Sequence, residues 1–273
     1  MRTPMSPWPL LVIAAMSMSW PSQSPAATAS TRTHSIMANQ SAETFFDGTV
    51  LDLARAINRS DTEAIRQLSP QVEINGIYRQ GMTLLFYALT NKKHAAVTAL
   101  IRSGANPNQP DKDLGSPLDV AVQAKESLSL ASIIDAGVSP NATNSWGTPL
   151  LFTAACLDSP ANLELLVARK ADLDATDKFL GRTAVYEAVS KGCYDQAIYL
   201  IEHGAKVDIT TANGVTLAYS VEWDLQHYQS GAPEFEKLRT IQRLMRERGI
   251  TFPADPPPIV RARMKAKGLK VAK

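Results

Sequence analysis

The stretch SGANPNQPDKDLGSPLDVA, residues 103–121, passes from a glycine suited to ending a helix, through an Asn/Pro/Asp-rich turn, to a Pro-Leu that opens a new apolar run. The same order returns as AGVSPNATNSWGTPLLFTAA from Ala136, RKADLDATDKFLGRTAVYEA from Arg169 and HGAKVDITTANGVTLAYS from His203. The glycines opening successive apolar runs are Gly81, Gly115, Gly147, Gly181 and Gly214, at steps of 34, 32, 34 and 33 residues. Self-similarity at this period predicts a solenoid of stacked units. In such a stack each unit touches only its neighbours, so the core is a long stripe and function is expected on the surface of the array.

One unit shows what stacks. In GRTAVYEAVSKGCYDQAIYLIEHGAKVDITTAN, residues 181–213, Ala184, Val185, Ala188 and Val189 form one apolar stripe of a short helix. Thr183 precedes it as an N-cap, because its hydroxyl can accept from an otherwise unpaired first-turn amide. Lys191 and Gly192 end that helix. Ala197, Ile198, Leu200 and Ile201 form the stripe of a second, and Gly204 supplies the left-handed backbone at its end. Val207 and Asp208 then lead into a hairpin-like polar turn. The predicted fold is all-α, a solenoid of helix-turn-helix units joined by such turns.

Composition narrows the partner classes. The 273 residues are 45% hydrophobic with a formal net charge of +2, which gives little reason to expect nucleic acid. That total hides an asymmetry, since six bases (Arg261, Arg263, Lys265, Lys267, Lys270 and Lys273) follow Asp255 with no acid among them, leaving the preceding residues at −4. This basic tail, 253–273, reads as a solvated, disordered end, with anionic lipid or an acidic partner as the competing use.

At the other end, Arg2 precedes the apolar run WPLLVIAAMSMSW and then PSQSPAATAS, with Ala27-Thr28-Ala29 as a small-x-small cleavage site. That is the layout of a secretory signal peptide over 1–29, and the apolar run is shorter than the roughly 20 residues of a membrane span. The domain plan is therefore signal peptide 1–29, linker 30–46, repeat domain 47–252 and tail 253–273. The expected location is the periplasm; translation from Met37 would instead give a cytosolic or host-directed protein.

Catalytic constellations do not emerge. His34, His94, His203 and His227 have no ligand spacing, and there is no phosphate loop, HExxH or nucleophile elbow. No catalytic, cofactor or metal residues are expected, and the chain reads as a non-enzyme. The only cysteines, Cys156 and Cys193, lie on the inter-helix side of adjacent units. Both outcomes stay open for them: a disulfide, or two half-buried thiols.

The units resemble ankyrin repeats. The family's Gly-x-Thr-Pro-Leu, Ala pair, Leu-rich second helix and Gly-Ala-Asp-x-Asn appear in GTPLLFTAA (147–155), LLVARKADLD (165–174), LIEHGAKVD (200–208) and LIRSGANPN (100–108). Four units over 81–213 match well. A degenerate unit, LDLARAINRSDTEAIRQLSPQVEIN, precedes them, and a longer last one follows from Gly214, which makes about six. Departures are Lys170 in place of the helix-ending glycine, Phe179 as a one-residue insertion at a turn tip, and Phe86, Asp119, Phe152 and Tyr186 where the family carries His.

The resemblance implies a monomer that binds a protein partner through its turn tips and the first-helix face. At the tips these are Tyr78, Asp111, Lys112, Asp113, Asn144, Trp146, Asp177 and Phe179; on the first helices, Tyr87, Asn91, Glu187 and Lys191. Trp146 and Phe179 are either interface anchors or lids folded over the neighbouring unit. The ending RGITFPADPPP, 248–258, is similar to that of envelope ankyrin proteins of Gram-negative bacteria that look like immunity partners of secreted lipase or phospholipase toxins. The alternative implied role is an envelope scaffold supporting another enzyme.

Overall fold

The computed structural model describes residues 40–110 and 115–272. The expected signal peptide, most of the linker, and Asp111, Lys112, Asp113 and Leu114 lie outside the described residues. From Ser41 onward the chain forms one compact unit.

A short helix α1 (Ala42–Phe45) is followed by helix pairs: α2 (Gly48–Arg59) with α3 (Thr62–Leu68), α4 (Leu84–Thr90) with α5 (His94–Arg102), and α6 (Pro117–Gln123) with α7 (Leu128–Asp135). The array continues with α8 (Leu150–Ala154) and α9 (Ala161–Ala168), α10 (Ala184–Ser190) and α11 (Tyr194–Glu202), then α12 (Leu217–His227) and α13 (Pro233–Glu247). A last helix, α14, spans Pro257–Ala266. Among the described residues there is no strand, only isolated bridges Thr143–Pro149 and Thr210–Thr216 at two turns. First helices pack in a row from α2 through α4, α6, α8 and α10 to α12, and behind them the second helices α3, α5 and α7 pack in turn, as do α11 and α13. This is the expected solenoid.

Local chemistry sets where four of the six first helices begin. Thr83, Ser116, Thr183 and Thr216 are extended N-caps whose hydroxyls accept from the amides of Phe86, Asp119, Tyr186 and Tyr219. Each such cap stabilises its helix by about 1 kcal/mol. The predicted stripe is buried, with Ala184, Val185, Ala188 and Val189 all at 1% exposure or less. Lys170 takes the left-handed backbone (φ 63°) that the missing glycine would have supplied, at a strain of about 1 kcal/mol.

Polar groups bind neighbouring units in register. The Asn75 side chain accepts from the Asn106 amide at 2.7 Å, Asn141 from Asp172 at 2.7 Å and Asp174 from Lys206 at 2.8 Å. Asn108 makes its link differently: its Nδ2 donates to the Thr143 carbonyl of the next unit at 3.1 Å, while its Oδ1 is buried without a partner. Asn162, fully buried, donates to the carbonyls of Ala121, Val122 and Ala124 and so closes the end of α6 from the next unit.

Both ends of the array differ from the sequence plan. Phe45 and Phe46, assigned to the linker, are buried, and their rings lie 5.3–6.1 Å from those of Tyr78 and Tyr87, so the folded domain starts at Ser41. The reason is that an array's first unit exposes an apolar face, and these two rings cover it. The tail is likewise folded. Pro257 and Val260 of α14 are buried, Arg261 packs on the turn at Gly214, and the Ala272 amide donates to the Ala212 carbonyl at 2.8 Å. Three inward positions, Pro257, Val260 and the half-buried Met264, sufficed to dock a helix whose charge suggested a free end.

Cys156 and Cys193 are joined in a disulfide with their α-carbons 5.6 Å apart, within the span such a bond requires. The bond ties α8's end to α11's start across 37 residues of chain. Closing a loop of that length should stabilise the fold by about 2–4 kcal/mol. The native protein is accordingly expected to show no thiol reactive toward a maleimide before reduction. Reduction, or Cys156→Ser with Cys193→Ser, should lower the urea midpoint by the corresponding amount.

Candidate functional site

The turn tips share one construction. At the four tips among the described residues, one residue donates its amide across the turn: Tyr78 to the Met82 carbonyl, Asn144 to Thr148, Asp177 to Arg182 and Thr211 to Val215. Three of these turns close over four residues and the one at Asp177 over five, which is the insertion at Phe179 made visible. At three of the tips, those of Asn144, Asp177 and Thr211, the side chain at the same position also accepts from the turn's own amides. Asn144 Oδ1 accepts from Trp146 and Thr148, and Asp177 Oδ1 accepts from Leu180 and Arg182. Thr211 Oγ1 accepts from Val215.

This construction sorts the tip residues expected to meet a partner. Asn144 and Asp177 are buried and hold the turns, so they position the surface without forming it. Trp146 and Phe179 stand out from successive tips at 64% and 73% exposure, so neither folds back as a lid. The Lys178 side chain lies against Gly147, and the Ala212 amide donates to the Leu180 carbonyl at 2.8 Å, which joins consecutive tips. Tyr78 is half-buried, its ring against Phe46 and its hydroxyl donating to the Glu73 carbonyl at 2.6 Å.

The first-helix residues divide in the same way. Tyr87 is 1% exposed and accepts from Asn58 at 2.9 Å, which makes it a core residue and corrects its assignment to the surface. Glu187 is also buried, between Arg182 at 3.0 Å and Lys191 at 2.7 Å. Asn91 is half-buried, donating to the Tyr87 carbonyl, while Lys191 is exposed. Arg182 also lies over the Phe152 ring at 5.2 Å. Asp119, one of the positions where the family carries His, forms a capping box with Ser116 and accepts from Ser145 of the next tip at 2.6 Å.

One feature was missed. Helix α12 has eleven residues where the first helices α4, α6, α8 and α10 have five or seven, because part of the extra length of the last unit continues the helix. It carries Tyr219, Trp223 and His227 at i, i+4 and i+8, with the Trp223 and His227 rings stacked at 4.4 Å. Trp223 is 42% exposed. The spacing of the three rings was the available signal. Tyr194 donates to Asp224 at 3.0 Å and fixes the added turn to α11; burial raises the Asp224 pKa above the usual carboxylate range.

Residues 118–211 match the family model described as ankyrin repeats (3 copies), and residues 80–112 match the single ankyrin repeat model. The chain is 30% identical over 173 residues to the ankyrin repeat protein YahD of Escherichia coli (strain K12), a match covering 60% of this chain and 85% of that protein. It is 31% identical over 166 residues to the mitochondrial disaggregase of Homo sapiens, covering 58% of this chain and 22% of that protein. The match thus spans about a fifth of the length of the larger relative. Among solved structures, the ankyrin repeat domain of Bcl-3 superposes with a TM-score of 0.59 at 22% identity, over 76% of this chain and 92% of that one. An ankyrin repeat domain from Acinetobacter baumannii superposes with a TM-score of 0.52 at 25% identity, over 70% and 96% of the two chains.

The Asp177 carboxylate offers a direct probe of how the tips are held. Burial pushes its pKa up, but the Leu180 and Arg182 amides and the Arg182 guanidinium at 2.8 Å outweigh that and hold it below the usual carboxylate range. A carboxyl that binds its proton more weakly in the folded state contributes stability in full above its ordinary pKa of about 3.9, and loses it as pH falls through the lower folded value. Asp177→Asn keeps the acceptor for both amides and removes the charge. It is expected to cost about 1–2 kcal/mol at neutral pH. That deficit should shrink as thermal melts are repeated from about pH 4 downward.

Proposed function

We infer that this chain, which belongs to the ankyrin-repeat family, is an exported module that binds a folded protein across its turn tips and first-helix face and performs no chemistry of its own. The fold is a protein-binding one. The observation that carries the reading is the pair Trp146 and Phe179, large apolar groups left exposed on tips whose turns are tied by the buried side chains of Asn144 and Asp177. Exposed aromatics on a rigid frame are the usual anchors of an interface, because little ordering entropy is lost when they are buried. Tyr219 and Trp223 extend the same chemistry onto the first-helix face.

Export is supported by the signal-like start and by the Cys156–Cys193 bond, since disulfides persist in oxidising compartments such as the bacterial periplasm. The partner proposed is a secreted hydrolase of the lipase or phospholipase kind. A rigid surface with projecting aromatics can neutralise such an enzyme by covering its active-site entrance.

Trp146→Ala is expected to weaken partner binding by about 2 kcal/mol or more, roughly thirtyfold, with the melting temperature nearly unchanged. The measurement is a pull-down from an envelope fraction with wild type, Trp146→Ala and Phe179→Ala, followed by activity assay of the recovered partner. Equal recovery by all three well-folded proteins would remove the tips from the interface. A recovered enzyme that keeps its activity when bound would overturn neutralisation. For export, N-terminal sequencing of the envelope form should begin near Ser30; cytosolic protein starting at Met1 or Met37 would refute it.

A further inference from the structure

The charge of this protein is divided along the axis of the stack. From Lys237 to the C-terminus there are eleven Lys and Arg against the two acids Glu247 and Asp255, whereas residues 40–236 hold 24 acids and 15 bases. Helix α13 taken whole is nearly balanced, with four bases against Glu234, Glu236 and Glu247, so the excess sits on α14 and the residues after it, where Arg261, Arg263, Lys265, Lys267, Lys270 and Lys273 have no acid among them. Glu247 is engaged with Arg243 at 2.6 Å, and Asp255 with Arg263 at 2.6 Å. Among the described residues, Lys265, Lys267 and Lys270 make no ion pair.

The outer face of α14 combines this charge with bare hydrocarbon. The helix turns Pro257 and Val260 inward and leaves Ile259 at 45% exposure, with Ala262 and Ala266 beside it at i+3 and i+7. Leu269 follows just past the helix at 54% exposure. At 100° per residue, Arg263 falls on one side of this apolar stripe and Lys265 on the other. A cavity of about 500 Å³ lies along the inner edge of the helix, with Arg263, Lys267 and one side of Leu269 in its wall.

We propose that this end of the solenoid docks on a bilayer surface rich in anionic phospholipid. The stripe Ile259–Ala262–Ala266–Leu269 enters the interface, and Lys265, Lys267 and Lys270 meet the headgroups. An acidic protein would satisfy the cations, but it gives no reason for isolated aliphatic groups between them, and the face carries no aromatic anchor of the kind protein interfaces prefer. A lipid interface accepts both together, because it offers diffuse negative charge above an apolar layer. Among the described residues no helix is long and apolar enough to cross a membrane, so the contact is one of surface docking. The face is also preorganised: Arg261 against Gly214 and the Ala272–Ala212 hydrogen bond hold α14 in place before any lipid arrives. The acidic remainder of the stack would be repelled by the same surface. The inference does not depend on what the turn tips bind.

Flotation of the protein as purified from cells, with phosphatidylcholine vesicles containing about 30 mol% phosphatidylglycerol and with phosphatidylcholine alone, tests this at about 50 and 300 mM NaCl. Binding should require the anionic lipid and weaken at the higher salt. Replacing Lys265, Lys267 and Lys270 together by Gln should reduce vesicle affinity about a hundredfold, at roughly fivefold per charge. Ile259→Ser with Leu269→Ser should reduce it roughly tenfold. Both variants should keep the wild-type melting temperature, since the altered side chains are exposed. Equal binding to both vesicle types, or wild-type affinity in either variant, overturns the proposal. So does capture of soluble poly-glutamate in place of vesicles, which would assign the face to an acidic protein, or complete release by millimolar inorganic phosphate, which would make it an anion site.

Discussion

A helix of seven residues does not persist in water by itself. Isolated helices need roughly 12–15 residues before propagation outweighs nucleation, and four first helices of this array have five or seven. Their hydrogen bonds exist because a neighbouring unit buries the apolar stripe and desolvates the turn. Every other feature follows from that dependence. Units must repeat at a near-constant step, so that the Asn75, Asn141 and Asp174 rungs meet the amide of the next unit. Helix ends must find partners outside their own unit, as α6 does in Asn162. The array must also be closed at both ends, because the outermost units have a neighbour on one side only.

That last requirement explains which parts of the structure could be read in the sequence. The repeating frame was legible because its rules are local. A glycine at a left-handed turn, a Thr or Ser three residues before a paired amide, and a two-helix apolar pattern all lie within one unit's span. Lys170 and Phe179 were readable for the same reason, as a substitution and an insertion against a known step. The closing elements have no such step. Phe45 and Phe46 are two rings after a polar segment, and their role exists only through Tyr78 and Tyr87, more than 30 residues onward. In α14 and the residues after it the three inward positions are outnumbered by six bases, so composition pointed to solvent while three side chains decided the packing.

The same distinction governs the binding surface. Polar residues at turn tips read as solvent-facing, yet a tight turn has several amides with no helix or strand to receive them, and leaving them unpaired would be costly. Asn144 and Asp177 are drawn inward by that demand, and Glu187 by the guanidinium of Arg182. Tyr87 is taken into the core by the aromatic cluster that seals the first units. What remains outside is the set with nothing to satisfy inside: Trp146, Phe179 and, on the lengthened α12, Trp223. Charge and polarity in the sequence thus predicted the scaffold of the tips, and apolar side chains at the same tips predicted the surface.

This separation of roles has an energetic consequence for how the protein can work. The groups that fix each turn are buried and hydrogen-bonded, whereas the exposed aromatics make few contacts on which the fold depends. Changes at Trp146 or Phe179 therefore act on what is bound, while changes at Asn144 or Asp177 act on the shape that presents them. Because contacts in a stack reach only the adjacent unit, a perturbation at one tip decays within about one repeat. The acidic body, the aromatic tips and the basic closing helix can consequently engage different surfaces at once, each held by the same frame and none obliged to move for another.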